Sequence, residues 1–112
     1  MSENIAAEDQ VTVVAEVDHR VVGFGRIIPL ESELRALYVH SDYGSRGIGD
    51  VILRELERLA KDRGLKLLWL AASLNAEPFC ARRGYEVVRS GEHTLRSGVR
   101  MPCIYMQKKL PK

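Results

Sequence analysis

The residues of this sequence best suited to chemistry are three glycines. Gly44, Gly47 and Gly49 lie in "SDYGSRGIGDVIL", where a polar stretch carrying Arg46 gives way to apolar residues at helical spacing. A helix N-terminus exposes unpaired N–H groups and the positive end of the macrodipole. Glycines just before it let a ligand approach that backbone closely, and phosphate is the natural guest. A plain strand-to-helix loop that is merely rich in glycine fits the same residues. Two known phosphate signatures fail. Gly44 and Gly49 have the spacing of a nucleotide P-loop, but Asp50 and Val51 stand where Lys and Ser or Thr are required. Gly47 and Gly49 begin a G-x-G, but Ile52 occupies the third glycine position and no partner acid marks the next strand end.

Other candidates are sparse. Cys80 and Cys103 are too few for a ligand cluster or a disulfide framework, so no metal is expected. His19 and His93 read as solvated turn and loop residues, and Trp69 as core. His40 ends a strand with an imidazole of suitable intrinsic pKa.

The elements that must position these residues follow from periodicity. "VTVVAEV" (Val11 to Val17) alternates as a strand, Asp18, His19 and Arg20 form a turn, and "VVGFGRII" (Val21 to Ile28) returns. "ELRALYVH" (Glu33 to His40) puts Leu37 and Val39 on one face and Leu34, Ala36 and Tyr38 on the other. A helix is predicted from about Gly47 to Arg63, with an apolar stripe of Ile48, Val51, Ile52, Leu56, Leu59 and Ala60. Glu57 and Lys61 are spaced for an ion pair, and Gly64 fits a C-terminal cap. "LKLLWLAA" (Leu65 to Ala72) is nearly all apolar, as in a strand buried on both faces. "NAEPFCARRG" (Asn75 to Gly84) reads as a short helix with Asn75 as N-cap. "YEVVRS" and "PCIYMQKK" are two last strands, joined by a loop holding Gly91, His93 and Gly98. The order β-β-β-α-β-α-β-β predicts one α/β (α+β) domain over residues 1–112, a mixed, mainly antiparallel sheet with two helices.

Composition narrows the class. At 112 residues and 46% hydrophobic, the chain can bury a core, and with 6% aromatics that core must be mainly aliphatic. A formal charge of +2 with interspersed signs argues against a nucleic-acid partner. The basic tail "QKKLPK" reads as a solvated terminus. No apolar run nears the roughly 18 residues of a membrane span, and the first residues lack a signal-peptide core. The expectation is a cytoplasmic protein with reduced thiols and no membrane contact.

"ALYVHSDYGSRGIGDVIL" closely resembles motif A of the GNAT superfamily of N-acetyltransferases, a strand, then Arg/Gln-x-x-Gly-x-Gly/Ala, then a helix. "LNAEPFCARRGYEVV" is similar to motif B, and the resemblance spans roughly Val11 to Leu110. It implies acetyl-CoA as co-substrate and an amine acceptor, small molecule or peptide. The pyrophosphate would sit on backbone N–H groups of Gly44, Ser45, Arg46, Gly47, Ile48, Gly49 and Asp50. The pantetheine arm would pair with the backbone of Leu37, Tyr38 and Val39. Asn75 would contact the pantetheine or hold open the gap between two splayed strands. Direct attack needs a deprotonated amine, a stabilised oxyanion and a protonated leaving thiolate.

The departures from the family pattern matter too. Gly44 stands where Arg or Gln is usual, so Arg46 is the replacement cation, and Asp50 should repel pyrophosphate. Cys80 aligns with the tyrosine that often protonates the thiolate, which makes it the candidate acid, with simple packing as the alternative. Glu33 is the best carboxylate for a general base. Family members begin with a strand and usually two helices, but only "MSENIAAEDQ" precedes Val11. The apolar face this leaves should favour a homodimer. A catalytically silent acyl-CoA-binding or regulatory module and a structural subunit are the alternatives.

Overall fold

In this computed structural model residues 2–7, 10–44 and 46–111 are described, the first six as backbone only. Seven strands and two helices run in the order β1 (Ser2–Ala7), β2 (Gln10–Val17), β3 (Arg20–Ile28), β4 (Glu33–Val39), α1 (Ile48–Asp62), β5 (Leu67–Ala72), α2 (Glu77–Arg82), β6 (Glu86–Thr94) and β7 (Arg100–Lys109). The strands form one sheet ordered β1-β2-β3-β4-β5-β7-β6. All neighbours are antiparallel except β4 and β5. This is the mixed, mainly antiparallel α+β architecture expected, with one strand more. The additional strand, β1, pairs with β2 up to Ala7↔Gln10.

The β2–β3 hairpin turns on Asp18 and His19, both at positive φ (50° and 66°). Two left-handed residues give the turn whose twist matches that of paired strands. On β3, "GFG" lets α1 lie close. A Cβ on Gly25 would stand 2.5 Å from Leu56 Cδ1, and one on Gly23 would stand 2.8 Å from the Tyr38 carbonyl oxygen and 3.0 Å from Ile52 Cδ1. Val11, Val13, Ile27, Leu34, Leu68, Leu70 and Met106 of the sheet, with Ile52, Leu53, Leu56, Leu59 and Ala60 of α1, form the core.

Several sequence expectations shift. Val51 is half exposed and Leu53 is buried, so the α1 stripe is rotated toward Leu53. Irregular β3–β4 pairing between Arg26 and Ile27 turns Leu34 into the core with Leu37 and Val39. β5 is buried on one face only, through Leu68, Leu70 and Ala72, because both helices lie on that side. Trp69 therefore faces away from the main core, near Tyr105 and donating from Nε1 to the Glu31 carbonyl at 2.8 Å. Gly91 and His93 belong to β6, not to a loop. The α2 N-cap is Ala76 rather than Asn75, and the Ser73 hydroxyl accepts from the Ala76 N–H at 3.2 Å. Glu57 is held by Tyr85 and Lys108. No helix among the described residues is long and apolar enough to cross a membrane.

Candidate active site

β4 and β5 touch at one register pair, Glu33↔Trp69. The Trp69 N–H donates to the Ser32 carbonyl at 2.9 Å. Beyond that point the two strands diverge, although both belong to the same sheet. The connection from β4 back to β5 runs through α1, whose bulk lies under β2, β3 and β4. A cleft of about 1320 Å³ opens there, lined by β4 from Leu34 to Val39, by Gly44, Gly47, Gly49 and Asp50 at the head of α1, by Leu70 to Ser73, and by Phe79, Cys80 and Arg83 of the α2 segment. Small-ligand pockets run roughly 300–1,000 Å³, so this one has room for a long ligand.

The candidate residues fall unevenly around this cleft. Leu37, Tyr38, Val39, Gly44, Gly47, Gly49, Asp50 and Cys80 all line it. Gly47 is the N-cap of α1 at φ 75°, which a side chain would strain. Gly49 lies where a Cβ would be 3.3 Å from the Phe79 ring. Gly44 is in ordinary helical conformation, so its lack of a side chain answers no backbone demand. Ile48 opens the helix behind the lining. Arg46 lies outside the lining, its guanidinium 5.0 Å from the Tyr43 ring centroid. Asn75 is exposed and also outside it. Ser45 lies outside the described residues.

Among the titratable groups, Glu33 is 9% exposed at the closed end of the gap. Its carboxylate accepts from Arg35 at 2.6 and 2.9 Å, and it is not part of the cleft wall. The Cys80 thiol is buried. Burial pushes its pKa up, Glu77 adds to this, and Arg83 opposes it. His40 accepts the Asp42 N–H on Nδ1 and so caps a single 3-10 turn. Tyr85, behind Cys80, donates to Glu57 at 2.9 Å, and burial first, then the Glu57 charge, hold its phenol protonated. Among the described residues no three His, Cys, Asp or Glu side chains gather as a metal site.

The sequence reading missed the cations. Arg54 and Arg83 line the cleft and both bind Asp50, whose isolated charge had been expected to oppose phosphate. The signal was present in "ARRG", but nothing in its spacing shows which arginine turns toward α1.

A mixed sheet is thus split between two strands, with a glycine-rich helix start at the mouth of the split. The chain belongs to the GNAT family, whose acetyltransferase (GNAT) domain matches residues 1–110. It is 29% identical over 116 residues to the uncharacterized N-acetyltransferase YjcF of Bacillus subtilis (strain 168), covering 95% of this chain and 81% of that protein. The crystal structure of a GCN5-related N-acetyltransferase from Rhodopseudomonas palustris matches at 34% identity and a TM-score of 0.85. The match covers 90% of this chain and 62% of that one, so this chain spans less than two thirds of its length. An aminoglycoside 6'-N-acetyltransferase solved with coenzyme A shares the fold, at a TM-score of 0.77 and 22% identity over 94% of this chain and 75% of that one.

Proposed function

We propose that residues 1–112 act as one acetyltransferase domain that transfers an acetyl group from acetyl-CoA to an amine by direct attack. The observation that carries this is the divergence of β4 from β5 beyond Glu33↔Trp69, directly beside the head of α1. Divergence leaves the β4 backbone at Leu37, Tyr38 and Val39 without strand pairing toward β5, as a hydrogen-bonding edge for an extended amide-bearing arm. The N–H groups of Gly47, Ile48, Gly49 and Asp50 at the head of α1, with that of Ser45, would receive the pyrophosphate, whereas those of Gly44 and Arg46 already donate to the Ser41 and Tyr43 carbonyls at 3.3 Å. Family membership and a similar fold solved with coenzyme A support the same reading.

The bound co-substrate supplies an activated thioester, and this chain supplies position and proton traffic. Cys80 keeps its proton, which suits a hydrogen donor to a departing thiolate and not a nucleophile. Glu33, at the closed end of the split, is the carboxylate we assign as general base, and it would have to release Arg35 to take the amine's proton. The acceptor is a primary amine, small molecule or peptide. The unpaired thiols of Cys80 and Cys103 fit a cytoplasmic setting. β6 is a nine-residue edge strand with Val87 and Val88 more than half exposed, so we place a second copy of the chain there.

Gly47→Val tests the loop. It should fold but bind acetyl-CoA at least tenfold more weakly by calorimetry. Unchanged affinity would remove the coenzyme from this cleft. Thiol release from acetyl-CoA against a panel of primary amines then separates an enzyme from a silent coenzyme-binding module. The second reading is favoured by one observation: the Glu33 carboxylate is already engaged by Arg35.

A further inference from the structure

Arg83 lies outside the glycine loop, yet the fold sets it against the loop's end. Its Nε donates to Asp50 Oδ1 at 3.1 Å, and one terminal nitrogen donates to the Phe79 carbonyl at 3.0 Å. The guanidinium carbon is 3.6 Å from the centroid of the Phe79 ring. Phe79 in turn fills the space where a side chain on Gly49 would begin. The second Asp50 oxygen is held by Arg54 at 3.1 Å. One carboxylate thus faces two guanidinium groups, and the local balance at the head of α1 is positive.

The two arginines are not equivalent. Arg54 is 78% exposed, whereas Arg83 is 26% exposed and held in three ways. Of the five N–H donors of a guanidinium, these contacts use two of Arg83's. The remaining ones belong to a planar group whose orientation is already fixed, on the wall of the cleft. Such a fork matches phosphate oxygens. The loop itself offers no equivalent, since Gly44 has no side chain and Arg46 rests against Tyr43 outside the lining.

We propose that Arg83 is the side chain that binds the coenzyme's phosphates in this protein, with Asp50 as its positioning residue. This rests on the coenzyme reading of the cleft. Asp50 orients the fork, and its own charge is offset by Arg83 and Arg54, which removes the repulsion a lone carboxylate would exert there.

The test is calorimetry on the full chain with coenzyme A, dephospho-coenzyme A and pantetheine, which carry three, two and no phosphates. Arg83→Gln should weaken coenzyme A binding about tenfold, the scale of a hydrogen bond to a charged group, and leave pantetheine binding unchanged. An equal loss with dephospho-coenzyme A assigns Arg83 to the pyrophosphate, and a loss confined to coenzyme A assigns it to the ribose phosphate. Adding Asp50→Asn to Arg83→Gln should recover part of the affinity, because it removes a carboxylate that only the exposed Arg54 then offsets. Arg83→Lys keeps the charge without the fork and should fall between wild type and Arg83→Gln. It serves in place of Arg83→Gln if that variant fails to fold. Wild-type affinity for both phosphorylated ligands in a folded Arg83 variant would overturn the proposal, as would an equal loss with pantetheine. Failure of the wild-type chain to bind any of the three would instead overturn the coenzyme reading.

Discussion

The two faces of the sheet are built from the same strands and finished differently. On the helix-covered face stand Val11, Val13, Ile27, Leu34, Leu68, Leu70 and Met106, all at most 7% exposed. On the other face Phe24 pairs with Tyr38 at 5.9 Å between ring centroids, and Trp69 with Tyr105 at 6.3 Å. Arg26 donates to Thr12 there, and Arg89 lies over the Tyr105 ring. Aliphatic side chains fill a space that excludes water, and aromatic rings with polar tips suit a surface that is only half covered. The covered face holds the protein together. The open face, with the strand split beneath it, is where we propose that an acceptor arrives.

The sharpest way to break this contrast is to overfill the covered face. Gly25→Val places atoms on Leu56 and Ile52 and should cost about 3 kcal/mol by urea denaturation, the upper range for overpacking. Tyr38→Ala, on the open face, should cost less than about 1 kcal/mol. Comparable losses for the two would erase the distinction between the faces.

A smaller effect is expected from Cys80, where the covered core meets the cleft. Its folded-state pKa is raised, chiefly by burial. The stability this represents is therefore fully present below the ordinary thiol value of about 8.5, and it is lost as pH rises above that value toward the folded-state one. Between pH 7 and pH 10 the wild type should lose stability faster than Cys80→Ala, so the gap between their urea midpoints should narrow. A gap independent of pH would leave no part for thiol titration.

Least costly to the fold is a change at the β6 edge. Val88→Lys should leave the melting temperature within about 1 °C, since an exposed substitution changes stability little. Light scattering should nevertheless show it monomeric, and the wild type, as we propose, dimeric. A wild type of 12.6 kDa across micromolar concentrations would remove the second copy from the β6 edge.

Much of this protein was legible in its residues. Alternation over Val11 to Ile28 marked the hairpin, the 3.6-residue period marked α1, and Gly47 and Gly49 marked the mouth of the cleft, because these are local consequences of chain geometry. β1 was not legible, since "SENIAA" lacks the β-branched alternation that signals a strand and takes its extended form by pairing with β2. Nor was the one-sided burial of β5, because an apolar run reads alike whether one face or both are covered, and only the placement of both helices on one side decides it. Of the two partners of Asp50, Arg54 stands four residues on, a spacing the helix makes legible, but Arg83 was beyond reach. Arg83 is 33 residues away in sequence, and the contact exists only because α2 folds back beside the head of α1. The sequence determined which segments are strands and helices and where bare backbone meets a helix start. Tertiary structure decided which charges face that backbone, because electrostatic partnership depends on distance in space and not on spacing along the chain.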